Sequence, residues 1–368
     1  MNDVMKEWFE AGKFAIIDDL PLRPRTGETQ STLSLYSIDE HSISFGLVDE
    51  DENNWLLKKF FPESEPQFHY LEAIHDLVPQ APGFESGFDR RLLNHSSLSS
   101  SGYCNNELQL WLHGAILARE VAAPTWANLT ESIIAGGHVL SRLVRLLACE
   151  KLNNSVERLE AAGLAHRNLS AQSVLIDAIN VEVHAIDWDN LYHSSLSPQP
   201  NFTSGTDGYI APFVKSGEAT WRPHSDRFAL AVLNSEILLM KADSLRAGSG
   251  GLLEQPDIYN RAGQTLSRLR NALHQNFPDA LKLLDQSLTA SNFDQCPAPH
   301  DWLNLITREL NIDANQSWDQ WKAPAEEPQS RSVYDRPRTP GFVTVNEFAF
   351  VKINRQAFAG LPPDSRQR

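Results

Sequence analysis

The sequence predicts an α+β fold in which a β-rich first third precedes a mainly helical remainder, and three observations carry that expectation. Between Ser31 and Phe61, short apolar runs alternate with clusters of acids and amides. From about Thr125 onwards, apolar residues recur at helical spacing instead. With 41% apolar and 21% charged residues over 368 positions, the chain can bury one large core or two modest ones, which excludes a disordered tail or a disulfide mini-protein.

Leu33-Leu35-Tyr36, Ile43-Phe45-Leu47 and Trp55 to Phe61 read as three strands of an antiparallel meander, because Asp39-Glu40 and Asp49 to Asn54 between them favour turns. Phe68, Leu71, Glu72, Ile74, His75 and Leu77 follow helical spacing, closed by Pro79. The polar stretch Asn94 to Asn106 reads as a loop. Leu108-Leu110-Leu112 and Gly114 to Val121 read as two more strands, so residues 1–121 are expected to form a five-stranded antiparallel sheet plus one helix.

Leu140, Leu143, Val144 and Leu147 fall at i, i+3, i+4 and i+7 and begin a long helix that runs to Gly163. Further helices are expected at Asp226 to Met240, Ala262 to Leu273, Asp279 to Leu288 and Trp302 to Leu310, which makes residues 122–322 a helical domain. Ala323 to Pro340 is rich in proline, serine and charge, as linkers are. The alternating run after it, Phe342 to Val345 and Phe348 to Ile353, suits a strand that pairs with a sheet edge of its own chain or of a partner, so residues 323–368 are read as a linker and extension.

Forty-seven acids against 32 bases give a net charge of −15 with no basic run, so nucleic acid is not expected as a partner. Cys104, Cys149 and Cys296 are odd in number and share no C-x-x-C spacing, which argues against a disulfide framework or a thiolate metal site and for a reducing cytoplasm. The histidines show neither H-x-x-x-H nor H-E-x-x-H, so zinc chemistry has no support. Phe228 to Met240 is short for a membrane span and is broken by Asn234, Ser235 and Glu236, while Met1 to Lys13 lacks an apolar signal core. A soluble, cytoplasmic protein without a membrane partner is expected.

The stretch that carries chemistry begins with Ala165-His166-Arg167-Asn168-Leu169, followed by the apolar run Val174-Leu175-Ile176 and then Ile186-Asp187-Trp188-Asp189. Gly205-Thr206-Asp207-Gly208-Tyr209-Ile210-Ala211-Pro212 and Ser225-Asp226-Arg227-Phe228-Ala229-Leu230 come next. This ordered series resembles the larger lobe of the protein-kinase-like superfamily, with its H-R-D-L-x-x-x-N loop, D-F-G metal site, G-T-x-x-Y-x-A-P-E segment and S-D-x-x-x-L helix start. The resemblance covers roughly residues 30 to 312 and implies a two-lobed fold, with a small β-rich N-lobe and a larger helical C-lobe.

The departures are as informative as the matches. The family's base position holds Asn168, whose amide can orient a hydroxyl but not take its proton, and its second metal position holds Ser173, a weaker ligand. Losing a positioned base typically costs about 10² to 10⁴ in rate. At the hairpin matching the glycine-rich loop, Ser37 to Gly46 has no paired glycines and has Asp39 and Glu40 at its tip, which would repel a triphosphate. Phe213 replaces the last residue of A-P-E, so the family's ion pair with a distant Arg is lost and apolar burial is the available compensation.

Other features of the resemblance persist. Lys58 matches the phosphate-pairing lysine, with Lys59 expected to be exposed, and its expected helix partner is Glu72, with Glu63 or Glu65 as substitutes. Asp187 aligns with the metal ligand and either binds Mg²⁺ weakly or is a remnant, while Trp188 keeps an apolar plug and Asp189 stands where the family has glycine. His166 is implied to pack in the C-lobe interior and Asp226 to accept backbone N–H bonds from the His166-Arg167 loop, both holding the fold. Ser194, Ser195, Ser197, Thr203, Ser204 and Thr206 read as hydroxyls of a solvated loop, although Arg167 occupies the place that clamps a phosphate in the family.

The resemblance therefore implies a pseudokinase: a catalytically impaired, regulatory module that binds another protein, with ATP and Mg²⁺ doubtful as cofactors. The rival expectation is an active atypical transferase that holds a nucleotide through Lys58, Glu72 and Asp187 and takes a base from elsewhere, such as Asp189.

Overall fold

The structure is a computed structural model that describes residues 3–25, 36–38, 41–78, 89–135, 139–199, 204–214, 220–239 and 253–320. Leu33, Leu35, Asp39, Glu40, Pro79, Thr203, Met240 and the whole linker and extension, 323–368, lie outside the described residues. The chain is mixed α and β and divides into two compact units.

The first unit comprises Met1–Val121 with Ala162–Leu164 and Trp188–Thr203. Its sheet is built from β1 (Ala15–Ile17), β2 (Leu20–Pro24), β3 (Tyr36–Ile38), β4 (Ser42–Val48), β5 (Asn54–Phe60), β6 (Arg90–Leu92) and β7 (Ile116–Arg119). The strands run in the order β1-β2-β4-β5-β7-β6, with β3 also on β4, and every pair is antiparallel. The β4–β5 register is closed by Asp49, whose Oδ1 accepts N–H bonds from Asp51 at 3.0 Å and Asn53 at 2.8 Å. Its other oxygen takes Trp55 Nε1 at 3.0 Å.

Period two on β5 sends Trp55 and Leu57 into a core shared with Met5, Trp8, Phe45, Leu112 and Leu117. Phe60 and Ile116 form a separate small cluster with Leu71 of helix α2 (Phe68–Leu77). Lys58 and Lys59, neighbours on β5, therefore leave the strand on different faces.

Three expectations for this unit need correction. Among the described residues the sheet has seven strands where five were expected: β1, β2 and β6, of three, five and three residues, are additional. The β1–β2 hairpin turns on Asp18 and Asp19, both at positive φ (53° and 66°), a conformation that Asp tolerates better than most residues. Leu108-Leu110-Leu112 is not a strand but lies in helix α3 (Asn106–Leu112), because Asn105 caps it by accepting Leu108 N–H at 2.6 Å. Leu108 and Leu112 are then buried four residues apart while Leu110 is 65% exposed, a helical pattern that resembles strand alternation when read over five residues. A third helix, α1 (Asp3–Ala11), adds Met5 and Trp8 to the core.

The second unit comprises Ala122–Ala161, Ala165–Asp187 and Ser204–Arg368. The two-residue strand β8 (Leu164–Ala165) lies where the chain changes unit, and β11 (Tyr192–His193) lies within the first unit's segment Trp188–Thr203. The second unit's helices are α4 (Trp126–Ile134), α5 (Arg142–Ala161), α6 (Arg227–Leu239), α7 (Gln255–Asn260), α8 (Gln264–Asn276), α9 (Pro278–Thr289) and α10 (Pro299–Gln320). From Phe228 to Leu239, α6 is buried at every position. The polar residues that interrupt its apolar run are satisfied inside: Asn234 exchanges amide bonds with Asn153, Ser235 donates to Ala231 O, and Glu236 accepts from Trp126 and Tyr209. No helix among the described residues is long and apolar enough to cross a membrane.

The hairpin β9 (Val174–Asp177) and β10 (Glu182–Ala185) pairs Ala185 with Val174, so the residues before β9 and after β10 meet at one end. Asp177 turns the other end by accepting N–H bonds from Ile179 and Asn180.

In the first unit, His113 lies between Phe68, centroids 4.5 Å apart, and His95, 3.9 Å apart and nearly parallel. Burial lowers the His113 pKa below its ordinary 6.5, His95 and Lys59 add to this, and Glu65 and Glu72 oppose it. The fold thus favours the neutral ring, so its contribution to stability is complete above 6.5 and declines as pH falls from there through the depressed folded value. We expect His113→Phe, which keeps the stack, to flatten the fall in Tm between about pH 7 and 5, as read by thermal unfolding across pH.

Candidate functional site

The loop between β8 and β9 is held by one carboxylate. Asp226, 2% exposed just before α6, accepts the His166 backbone N–H on Oδ2 at 2.6 Å and the Arg167 N–H on Oδ1 at 2.7 Å. Arg167 adopts a left-handed backbone at φ 67°, a strained conformation for a long side chain that the two bonds help to hold. Burial pushes the Asp226 carboxyl up to about 7, against the two backbone donors that favour its charge.

His166 is fully buried. Its Nδ1 accepts the Asn168 N–H at 3.3 Å, which leaves Nε2 to donate to Ile186 O at 2.8 Å. That bond, with Ile186 N–H donating to Ser173 O at 2.9 Å, ties the loop to the residue before Asp187. Asn168, Ser173 and Asp187 are thereby brought to one end of the β9–β10 hairpin.

Asn168 and Ser173 differ in chemistry from the residues that the resemblance implies at those positions, whereas Asp187 is the residue it implies. The half-buried Asn168 accepts a hydrogen bond on Oδ1 from the Thr206 hydroxyl at 3.0 Å. Ser173, 1% exposed, accepts the Ser170 N–H and donates to Asn168 O at 2.8 Å, so its hydroxyl serves its own loop instead of a metal. Asp187 is exposed, with φ 64°. Among the described residues no group of three or more His, Cys, Asp or Glu is placed to hold a metal ion. The donor set at this loop, one carboxylate and an inward-turned hydroxyl, does not fit a two-metal site.

Arg167 is not available to clamp a phosphate. Its Nε and Nη2 donate to Thr220 O (3.1 Å) and Thr220 Oγ1 (2.5 Å), and its guanidinium lies 4.8 Å from the Trp221 ring centroid. The following segment is secured from α7, where Gln255 accepts the Gly208 N–H and donates to Ile210 O, both at 2.9 Å. Glycine is required there, since φ is +87° and a Cβ would meet Leu253 O at 2.2 Å. Tyr209 donates to Glu236 at 2.7 Å, and burial followed by that carboxylate pushes its phenol far above 10. Phe213 packs edge-on against Phe293, ring centroids 4.8 Å apart, which supplies the apolar contact expected in place of the ion pair.

In the first unit, Lys58 does not pair with Glu72, which is exposed on α2. Lys58 Nζ instead donates to Asp189 Oδ2 at 2.8 Å, and the other oxygen of Asp189 takes Arg90 Nη2 at 3.2 Å. Asp189 lies in a single 3₁₀ turn (Trp188–Asn190), which Tyr70 of α2 also anchors by donating to Leu191 O at 3.1 Å. Burial alone would raise the Asp189 pKa, but the ammonium and guanidinium together hold it below the ordinary carboxylate range. Such a group is a poor proton acceptor. Glu65, a substitute partner for Lys58, pairs with Lys59 at 2.6 Å, and Lys59, expected to be exposed, has a side chain only 15% exposed.

The chain matches no protein-family model and no curated protein. Arg90 and Tyr70 were missed because β6 gave no periodic signal and Tyr70 reads as an ordinary helix residue. The acid in place of glycine at Asp189 was the available clue. Asp226→Ala should leave two buried backbone N–H groups without acceptors and cost about 3 kcal/mol or more, measured by urea unfolding.

Proposed function

We propose that this chain is a kinase-like protein that does not transfer phosphate and acts as a protein-binding, regulatory module. The observation that carries this reading is the carboxamide of Asn168, whose oxygen already accepts the Thr206 hydroxyl, at the position where the resemblance requires a proton acceptor. Two further features support it. Ser173 is committed to the loop backbone, and the Lys58 ammonium is paired with a carboxylate of its own chain.

The kinase-like architecture is itself part of the proposal. In its favour are a lysine on a central strand followed by a helix, and a histidine-arginine loop held from the start of a buried helix by Asp226. The retained fold-holding residues and the altered chemical ones divide as they would in a protein kept for its shape.

Thermal unfolding with ATP and Mg²⁺ tests the reading. Nucleotide binding at 100 times Kd would add about 2.7 kcal/mol of stability, so a protein that does not use nucleotide shows no shift at millimolar concentration. A metal-dependent shift abolished by Asp187→Ala, together with a mass increase on a co-incubated protein, would establish the atypical transferase instead. Restoring the family residues with Asn168→Asp and Ser173→Asn is expected to leave turnover undetectable in a labelled-phosphate assay, because Lys58 remains paired with Asp189.

A further inference from the structure

Lys58, Arg90 and Asp189 form a cluster with the features of a ligand site whose ligand belongs to the chain. The carboxylate of Asp189 is gripped from two sides, by an ammonium on β5 at 2.8 Å and a guanidinium on β6 at 3.2 Å. The side chains of Arg90 and Asp189 are only 6% and 9% exposed. Arg90 Nη1 is buried and has no hydrogen-bond partner among the described residues, so the guanidinium has donor capacity that one carboxylate does not use. Two cationic groups from strands β5 and β6 of one sheet, with β7 between them, aimed at one pair of oxygens, are an arrangement that proteins use for carboxylate and phosphate oxyanions. The turn that brings Asp189 there is short, and Tyr70 secures it separately through the Leu191 carbonyl.

We infer that Lys58 and Arg90 constitute an oxyanion seat that Asp189 fills from within the chain, so that a ligand's carboxylate or phosphate group enters only when the Asp189 carboxylate is absent or displaced. This inference stands on side chains of the first unit and does not require the kinase-like reading. It assigns Asp189 a blocking role and Arg90 a binding one. It also accounts for aspartate at a position where glycine would leave the seat open.

Chemical rescue tests it. Asp189→Ala removes the internal oxyanion and should lower Tm, because two buried cations lose their counter-charge. Sodium formate, inorganic phosphate or ATP at about 50 mM, each compared with chloride at equal ionic strength, should restore Tm in this variant and leave the wild type unmoved. Formate restoring alone identifies a carboxylate seat, whereas restoration by phosphate and ATP as well identifies a seat open to phosphates. Adding Lys58→Met should abolish the effect. An equal oxyanion-specific rise in the wild type, or a folded Asp189→Ala protein that does not respond, would overturn the inference. If Asp189→Ala does not fold, the isosteric Asp189→Asn carries the test through amine labelling of Lys58 read by mass spectrometry. Formate or phosphate should protect Lys58 in that variant and not in the wild type, and absence of protection would overturn the seat.

Discussion

A single buried carboxylate sets the geometry of the second unit. Asp226 takes the N–H groups of two consecutive residues, His166 and Arg167, and so bends the loop before β9 into a form that includes a left-handed arginine. Once that bend exists, His166 points at Ile186, and the hairpin register carries Ser173 and Asp187 to the same end. The energetic logic is that of unpaired donors. Two backbone N–H groups in a water-free interior each cost on the order of 1–3 kcal/mol if left alone, and one acidic side chain from a helix start satisfies both.

Several charged and polar groups around this loop and around Lys58 are bonded to other groups of the chain. Arg167 is held by Thr220 and Trp221, Tyr209 and Trp126 share Glu236, and Asp189 is shared between Lys58 and Arg90. An active phosphoryl-transfer centre keeps donors and a base available for a substrate and a metal. Here Asn168, Ser173 and Lys58 each take part in hydrogen bonds within the chain. The Phe213–Phe293 contact is the apolar burial expected where Phe213 stands in place of a carboxylate.

Long periodic segments were legible in the sequence: α2, α5, α6, α8 and α9 fall where apolar spacing put them, and β4 and β5 fall on the alternating runs. Short segments were not. Helix α3 spans seven residues and two turns, so its leucines fit alternation as well as helical period until Asn105 is recognised as a cap. Strands β1 and β6 have three residues each, too few to show any period. The loop from His166 to Ser173 and its anchor Asp226 were legible because their motifs have a fixed order along the chain. The pairing of Lys58 with Asp189 was not legible because the resemblance directs its partner to helix α2, and neither a motif nor proximity along the chain decides which carboxylate reaches an ammonium.

By itself, the amino-acid order determined which stretches bury a face and that an amide and a hydroxyl stand at positions 168 and 173, since periodicity and side-chain chemistry are local properties. Only the folded structure decided where the charges went. Asp189 lies 131 residues from Lys58 and 99 from Arg90, and an ion pair over such separations forms only where strand pairing and a buried turn bring its members together. In water these side chains would be indifferent to one another. In a buried setting, where hydration is lost, the pairing becomes compulsory.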